Sequence, residues 1–196
     1  MRTAKITRKT KETDICLALN LDGSGKSDIR SGIGFFDHMM DAFTRHGLFD
    51  MKLEVNGDLE VDGHHSVEDT GIVLGKAIRE ALGDKKGIRR YGYFVLPMDE
   101  ALVLCAVDLC DRPYFVLEGA EKITAPMVGD FDTQLVKEFF YSVSYAAGMN
   151  LHFHILSGVN SHHIIEAMFK SFSKALDMAS GFDGRFEDVL STKETL

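Results

Sequence analysis

The stretch that decides the reading is "VDGHHSVEDTGIVLGKAIREAL", residues 61–82. His64 and His65 stand side by side, Glu68 follows three residues after His65, Asp69 comes next, and an amphipathic pattern then runs to Gly83. Residues 162–176, "HHIIEAMFKSFSKAL", write the pattern a second time. An offset of 98 carries His64 to His162, His65 to His163, Glu68 to Glu166, Lys76 to Lys174 and Ala77 to Ala175. Upstream, an offset of 101 carries Gly47 to Gly148 and Gly57 to Gly158. The three-residue difference is a longer loop, "DLEVDG", in the first copy. A repeat of this length is an organising feature, so it sets the frame for everything else.

Working outward, each half has one order of elements. In the first, "ETDICLALNLDG" and "SDIRSGI" alternate as strands around a "DGSGK" turn. "GFFDHMMDAFTRHG" reads as a helix with a glycine stop, "DMKLEVNG" as a strand, and a helix follows over about 66–82. In the second, "YGYFVLPM", "ALVLCAVDL" and "PYFVLEG" read as strands. "DTQLVKEFFYSVSYAAG" reads as a helix with Asp132 as its N-cap, then come the strand "NLHFHILSG" and a helix over about 161–179. Amphipathic helices with alternating strands predict an α+β fold, sheets covered on one face by helices. We expect one domain over 1–196, with halves at about 1–86 and 87–182 and a tail at 183–196.

The doubled motif carries chemistry. On a helix, residues three and four apart share a face, so Glu68 can sit beside either histidine. Adjacent histidines diverge by about 100° and suit two different ions better than one. One copy alone is most often a solvated, capped helix end; two copies in register argue for metal. The repeat predicts two pseudo-symmetric sites, each with imidazoles and a carboxylate, a donor set that suits Mn, Fe, Zn or Ni. His152 and His154, two apart on a strand, share one of its faces.

Composition narrows the classes. The 196 residues are 45% hydrophobic and 27% charged, with a formal net charge of −8. That is globular, and the acidic balance without a basic block argues against nucleic acid. No apolar run spans a bilayer, and the basic start "MRTAKITRKTKET" lacks the apolar core of a signal peptide, so a cytoplasmic protein is expected. Cys16, Cys105 and Cys110, an odd count among apolar neighbours, read as buried, reduced thiols.

"GIGFFDHMMDAFTRHGLFD", "GDLEVDGHHSVEDTGIVLGKAI", "RRYG", "LPMDEAL", "DRPY", "NLHFHI", "NSHHIIEAMFKSFSKAL" and "LSTK" together resemble the imidazoleglycerol-phosphate dehydratase family, from Glu12 to Lys193. The resemblance implies helices sandwiched between two mixed four-stranded sheets, one per half. It implies a lyase of histidine biosynthesis that converts imidazoleglycerol phosphate to imidazole-acetol phosphate through a diazafulvene-like intermediate. It implies two Mn²⁺ ions per site, and a homo-oligomer of 24 subunits built from trimers that share active sites.

Carried over by residue, the resemblance assigns His38, His65, Glu68 and His163 to one metal. It assigns His64, His162, Glu166 and Glu138 to the other. Glu138 stands where many relatives have histidine, and its extra negative charge is expected to hold that ion more tightly. Glu12, Glu68 and Glu166 are implied as proton-moving groups. His46, Arg90, Arg112, Lys170, Ser191 and Lys193 are implied as phosphate ligands, with Glu194 a departure from the family's glycine. Competing classes are a metal-storage or structural metalloprotein, which has no use for the phosphate cations, and a hydrolase, which needs an open coordination position filled by water.

Overall fold

The structure is a computed structural model that describes residues 1–193; Glu194 lies outside them. The first half comprises β1 (Thr3–Lys9), β2 (Thr13–Asn20), β3 (Ser27–Arg30), α1 (Gly34–Gly47), β4 (Asp50–Gly57) and α2 (His64–Leu82). The second comprises β5 (Tyr91–Met98), β6 (Ala101–Asp108), β7 (Tyr114–Glu118), the short pair β8 (Met127–Val128) and β9 (Phe131–Asp132), then α3 (Leu135–Ala147), β10 (Asn150–Ser157) and α4 (Ser161–Ser180). The sheets have the same strand order, β1-β2-β4-β3 and β5-β6-β10-β7. In each, the last pair is parallel and the others antiparallel, because a helix crosses over between β3 and β4, and again between β7 and β10. The fold is therefore the mixed, duplicated α+β sandwich expected.

Period-2 alternation selects one face of every strand for burial. Ile15, Leu17 and Leu19 of β2 and Val103, Cys105 and Val107 of β6 all point into the core. α2 covers β1 and β2, α4 covers β5 and β6, and the layers meet where α2 packs on α3 and α1 packs on α4. Phe36, Phe139, Phe140, Phe169 and Phe172 interlock there, all buried. α2 and α3 approach unusually closely. A Cβ on Gly75 would stand 2.6 Å from the Val143 carbonyl oxygen and 2.7 Å from the Ala146 Cβ. Neither neighbour is a flexible side-chain end, so Gly75→Ala is expected to destabilise the fold by about 1–3 kcal/mol, read as a lower denaturant midpoint.

Four local expectations are corrected. β1 was not anticipated, because its open face carries Thr3, Lys5, Thr7 and Lys9 and only Ala4 is buried on the other. α2 begins at His64 rather than near residue 66, so both histidines belong to its first turn. Asp132 does not cap α3: the helix starts at Leu135, and the Asp132 carboxylate accepts from the Gln134 N–H at 2.9 Å. Cys105 and Cys110 are buried and free as expected, whereas Cys16 is only half-buried on the open face of its sheet.

A contact across the repeat supplies the cap that α1 lacks locally. Asp130, in the β8–β9 turn, accepts from the Gly34 N–H at 2.9 Å and the Phe35 N–H at 3.3 Å. Those donors hold its carboxyl below the usual value of 3.8. A depressed carboxyl stabilises the fold above its ordinary value, and the effect is lost as pH falls through the lowered one. Asp130→Ala is expected to cost about 1 kcal/mol at neutral pH. The gap from wild type closes in strong acid, which thermal unfolding at the two pH values checks.

Candidate metal centre and phosphate cleft

The first turns of α2 and α4 present the two histidine pairs in matching poses. Ring centroids are 6.1 Å apart in each pair, and the rings are inclined by 81° for His64 and His65 and by 83° for His162 and His163. Neighbouring residues on a helix point about 100° apart, and the two histidines of each pair take different partners. The first histidine of each pair leans along its own helix to the glutamate one turn on: His64 Nε2 is 3.3 Å from Glu68 Oε2, and His162 Nε2 is 3.1 Å from Glu166 Oε2. The second turns away. His65 Nδ1 meets Asp58 at 3.0 Å, and His163 Nδ1 meets Glu100 at 2.8 Å. These contacts raise the affinity of both imidazoles for a proton, and that with His163 helps to bring Glu100 down to about 2.

Only one trio of candidate ligands converges among the described residues: His38, His162 and Glu166, whose donor atoms lie within 4.8 Å of one another. His38 comes from α1 and stands 3.6 Å from Glu166 Oε2. Glu166 is buried, which by itself would raise its carboxyl. Lys170, 2.6 Å from Oε1, and the His162 hydrogen bond outweigh burial and hold it below the usual range, so it is an anion. Two imidazoles and an ionised carboxylate fit a divalent ion of the manganese-to-zinc series.

Within one chain His38 joins His162 and Glu166. The expected set of His38, His65, Glu68 and His163 belongs to a site that subunits would share. Because α3 packs on α2 as α1 packs on α4, the repeat pairs this trio with Glu138, His64 and Glu68. Glu138 and His64 line a common cleft of about 510 Å³. Strict register would put Phe139 in the place of His38, but Phe139 is buried in the core.

The proposed phosphate ligands fall into two places. Arg90, Arg112, Ser191 and Lys193 line one open cleft of about 770 Å³, which includes none of the expected metal ligands. Arg90 is not free in it. Its Nε and Nη2 hold Asp108 at 2.7 and 3.1 Å, and its Nη1 donates to the Leu190 carbonyl at 2.7 Å. It is a clip between β6 and the tail. Arg90 and Asp111, the residue before Arg112, both have left-handed backbone, with φ of 69° and 58°. Asp111 is held by ion pairs to the buried Lys85 at 2.9 Å and to Arg79 at 3.2 Å. Backbone strain of this kind gathers where a side chain must be aimed. His46 and Lys170 lie elsewhere, beside Glu166. Burial and the nearby Lys170 lower the proton affinity of His46 below that of a free imidazole, and Lys170 is engaged by Glu166.

Glu12 sits in the β1–β2 turn with Oε1 3.9 Å from His65 Nε2. Asp69, conspicuous in the opening motif, is what holds that turn. Its carboxylate accepts from Thr13 Oγ1 at 2.5 Å and pairs with Arg8 at 2.9 Å. Asp58, Asp69, Glu100 and Asp108 were not singled out in the sequence for these roles. Only Glu100 left a signal, since it precedes β6 as Glu12 precedes β2.

A sequence model described as imidazoleglycerol-phosphate dehydratase matches residues 31–176. A protein of that name from Lachnoclostridium phytofermentans is 63% identical over 195 residues, covering 100% of this chain and 98% of its own. One from Ruminiclostridium cellulolyticum is 57% identical, with both chains fully covered. The crystal structure of the Staphylococcus aureus enzyme superposes with a TM-score of 0.83 at 37% identity, covering 92% of this chain and 99% of that one. The Pyrococcus furiosus enzyme, solved in complex with (S)-C348, gives 0.83 at 36% identity, covering 97% and 100%. With full-length identity at this level and the same fold around the doubled histidine motif, the chain belongs to the imidazoleglycerol-phosphate dehydratase family, enzymes that carry out the dehydration step of histidine biosynthesis.

Proposed function

We propose that the chain catalyses this dehydration as a dimetal lyase whose site is completed between subunits. The observation that carries the reading is the convergence of His38, His162 and ionised Glu166, matched through the repeat by Glu138, His64 and Glu68. These sets would hold two divalent ions, Mn²⁺ by the family resemblance, with His65 and His163 as the remaining imidazole ligands. When bound, such ions would supply Lewis acidity that favours the anionic form of the substrate's imidazole ring. The residues do the rest. Glu166 and Glu68 lie beside the ring-binding imidazoles, Glu12 is placed to exchange a proton with the carbon or hydroxyl of the substrate, and Arg112 with Lys193 and Ser191 neutralises the phosphate.

One chain does not bring all of this together. His65 and His163 are apart from the trio, and the phosphate cleft is separate from His46 and Lys170. A second copy is the economical source of the missing groups. The open face of β5-β6-β10-β7 supports self-association, since Tyr91, Tyr93, Val95 and Tyr114 stand exposed there. The opposite sheet presents Lys5, Lys9, Asp14, Lys52 and Glu54 instead. The proposed state is the 24-subunit shell built from trimers. No helix among the described residues is long and apolar enough to cross a membrane, and we place the enzyme in the cytoplasm. A storage or structural metalloprotein would not need the cleft of Arg112, Ser191 and Lys193.

The test is to strip the purified protein with a chelator, return Mn²⁺, and follow dehydration and particle size together. Return of both supports the reading. Assembly without water loss from the substrate would sink it. Glu138→Gln is expected to weaken Mn²⁺ binding at one of the two ions. Unchanged occupancy would remove Glu138 from the ligand set.

A further inference from the structure

We infer that Asp58 and Glu100 are positioning residues, each holding the second histidine of a pair by Nδ1 so that its Nε2 faces outward as a ligand, and that the longer loop of the first half thereby frees Glu12 for proton transfer. The inference rests on the dimetal reading above. His65 Nδ1 lies 3.2 and 3.0 Å from the two oxygens of Asp58, and His163 Nδ1 lies 2.8 Å from Glu100 Oε2. A neutral imidazole has one donor nitrogen. A carboxylate at Nδ1 makes that the donor and leaves the lone pair on Nε2.

The Glu100 carboxylate is anchored directly, and Asp58 through its backbone. Glu100 Oε1 accepts from the N–H groups of Val159 and Asn160 at 3.1 and 2.7 Å. Asp58 donates its own N–H to the Glu12 carbonyl at 3.1 Å, and its carbonyl accepts from the Val61 N–H at 2.8 Å.

The two orienting groups come from different places in the repeat. Glu100 immediately precedes β6, and its counterpart before β2 is Glu12. Strict symmetry would therefore assign Glu12 to His65. Instead the segment 58–63, three residues longer than 158–160, supplies Asp58. The Glu12 carboxylate is left 3.9 Å from the Nε2 side, with its side chain 55% exposed. Glu100 is committed to His163 and to the backbone before α4; Glu12 has no such tie. The insertion thus lets Asp58 hold His65 and leaves Glu12 untied, while in the second half Glu100 holds His163 and the exposed Asp99 stands 3.8 Å from its Nε2.

The test is Mn²⁺ titration of the assembled, metal-stripped protein, with free ion read by electron paramagnetic resonance and melting of the apo protein as a control. Asp58→Ala and Glu100→Ala are each expected to weaken binding about 10–100-fold. Glu12→Ala is expected to leave affinity unchanged. Asp58→Asn, whose amide oxygen still accepts from Nδ1–H, should stay near wild type even if the alanine variant melts lower. Wild-type affinity in Asp58→Ala, equal weakening in Glu12→Ala, or loss in Asp58→Asn equal to that in the alanine variant would overturn the assignment. Failure of the wild type to bind Mn²⁺ would instead overturn the dimetal reading, and this inference with it.

Discussion

Glu166→Ala is expected to reduce dehydration of imidazoleglycerol phosphate by at least about 10²–10⁴-fold, the range for loss of a positioned acid–base group. It should also remove one ion from the Mn²⁺ stoichiometry. The reason is the number of partners that one buried carboxylate serves. His162 at 3.1 Å, His38 at 3.6 Å and Lys170 at 2.6 Å all converge on it. No other acidic side chain joins that trio among the described residues. Its removal leaves two imidazoles beside an uncompensated ammonium, which repels a divalent cation. Turnover and metal counting in the same preparation check the expectation. Retained stoichiometry with lost turnover would mean that Glu166 moves a proton without ligating. The companion variant Lys170→Met separates the roles further. If Lys170 acts mainly to keep Glu166 ionised, its removal should shift the acid limb of the rate profile upward, because the Lys170 contact is the leading influence that lowers the carboxyl.

Arg90→Ala carries the largest expected effect on stability. Arg90 is buried, with its side chain 10% exposed against 19% for Asp108. Removing one partner of such a pair leaves the other charge without compensation, at a cost of about 3 kcal/mol. The tail loses its clip at the Leu190 carbonyl in the same step. Ser191 and Lys193 then no longer have a fixed place in the cleft, so KM for the phosphorylated substrate should rise more than kcat falls. Arg90→Ala combined with Asp108→Ala should recover part of the stability and none of the substrate affinity. If KM stays unchanged in a folded Arg90→Ala protein, the tail does not meet the phosphate.

The amino-acid sequence by itself determined the duplication, the element order and the ligand types. These depend on local rules. A 3.6-residue period marks α1 and α4, a two-residue period marks β2, β6 and β10, and glycine stops α2 and α3, although α1 runs through Gly47 to a left-handed Leu48. β1 escaped because a strand with one open polar face and one buried residue carries almost no such signal. Tertiary structure decided which carboxylate serves which imidazole. Glu68 had two histidines within reach of its own helix, and helix geometry alone could not choose between them. The choice came from Asp58 and Glu100, which claim His65 and His163 through loops 7 and 63 residues away in the chain. Asp108 likewise holds Arg90, the expected phosphate ligand, as a clip on the tail. A side chain's role depends on which partner reaches it first at hydrogen-bonding distance, and a one-dimensional pattern does not contain those distances until the sheets have been layered against the helices.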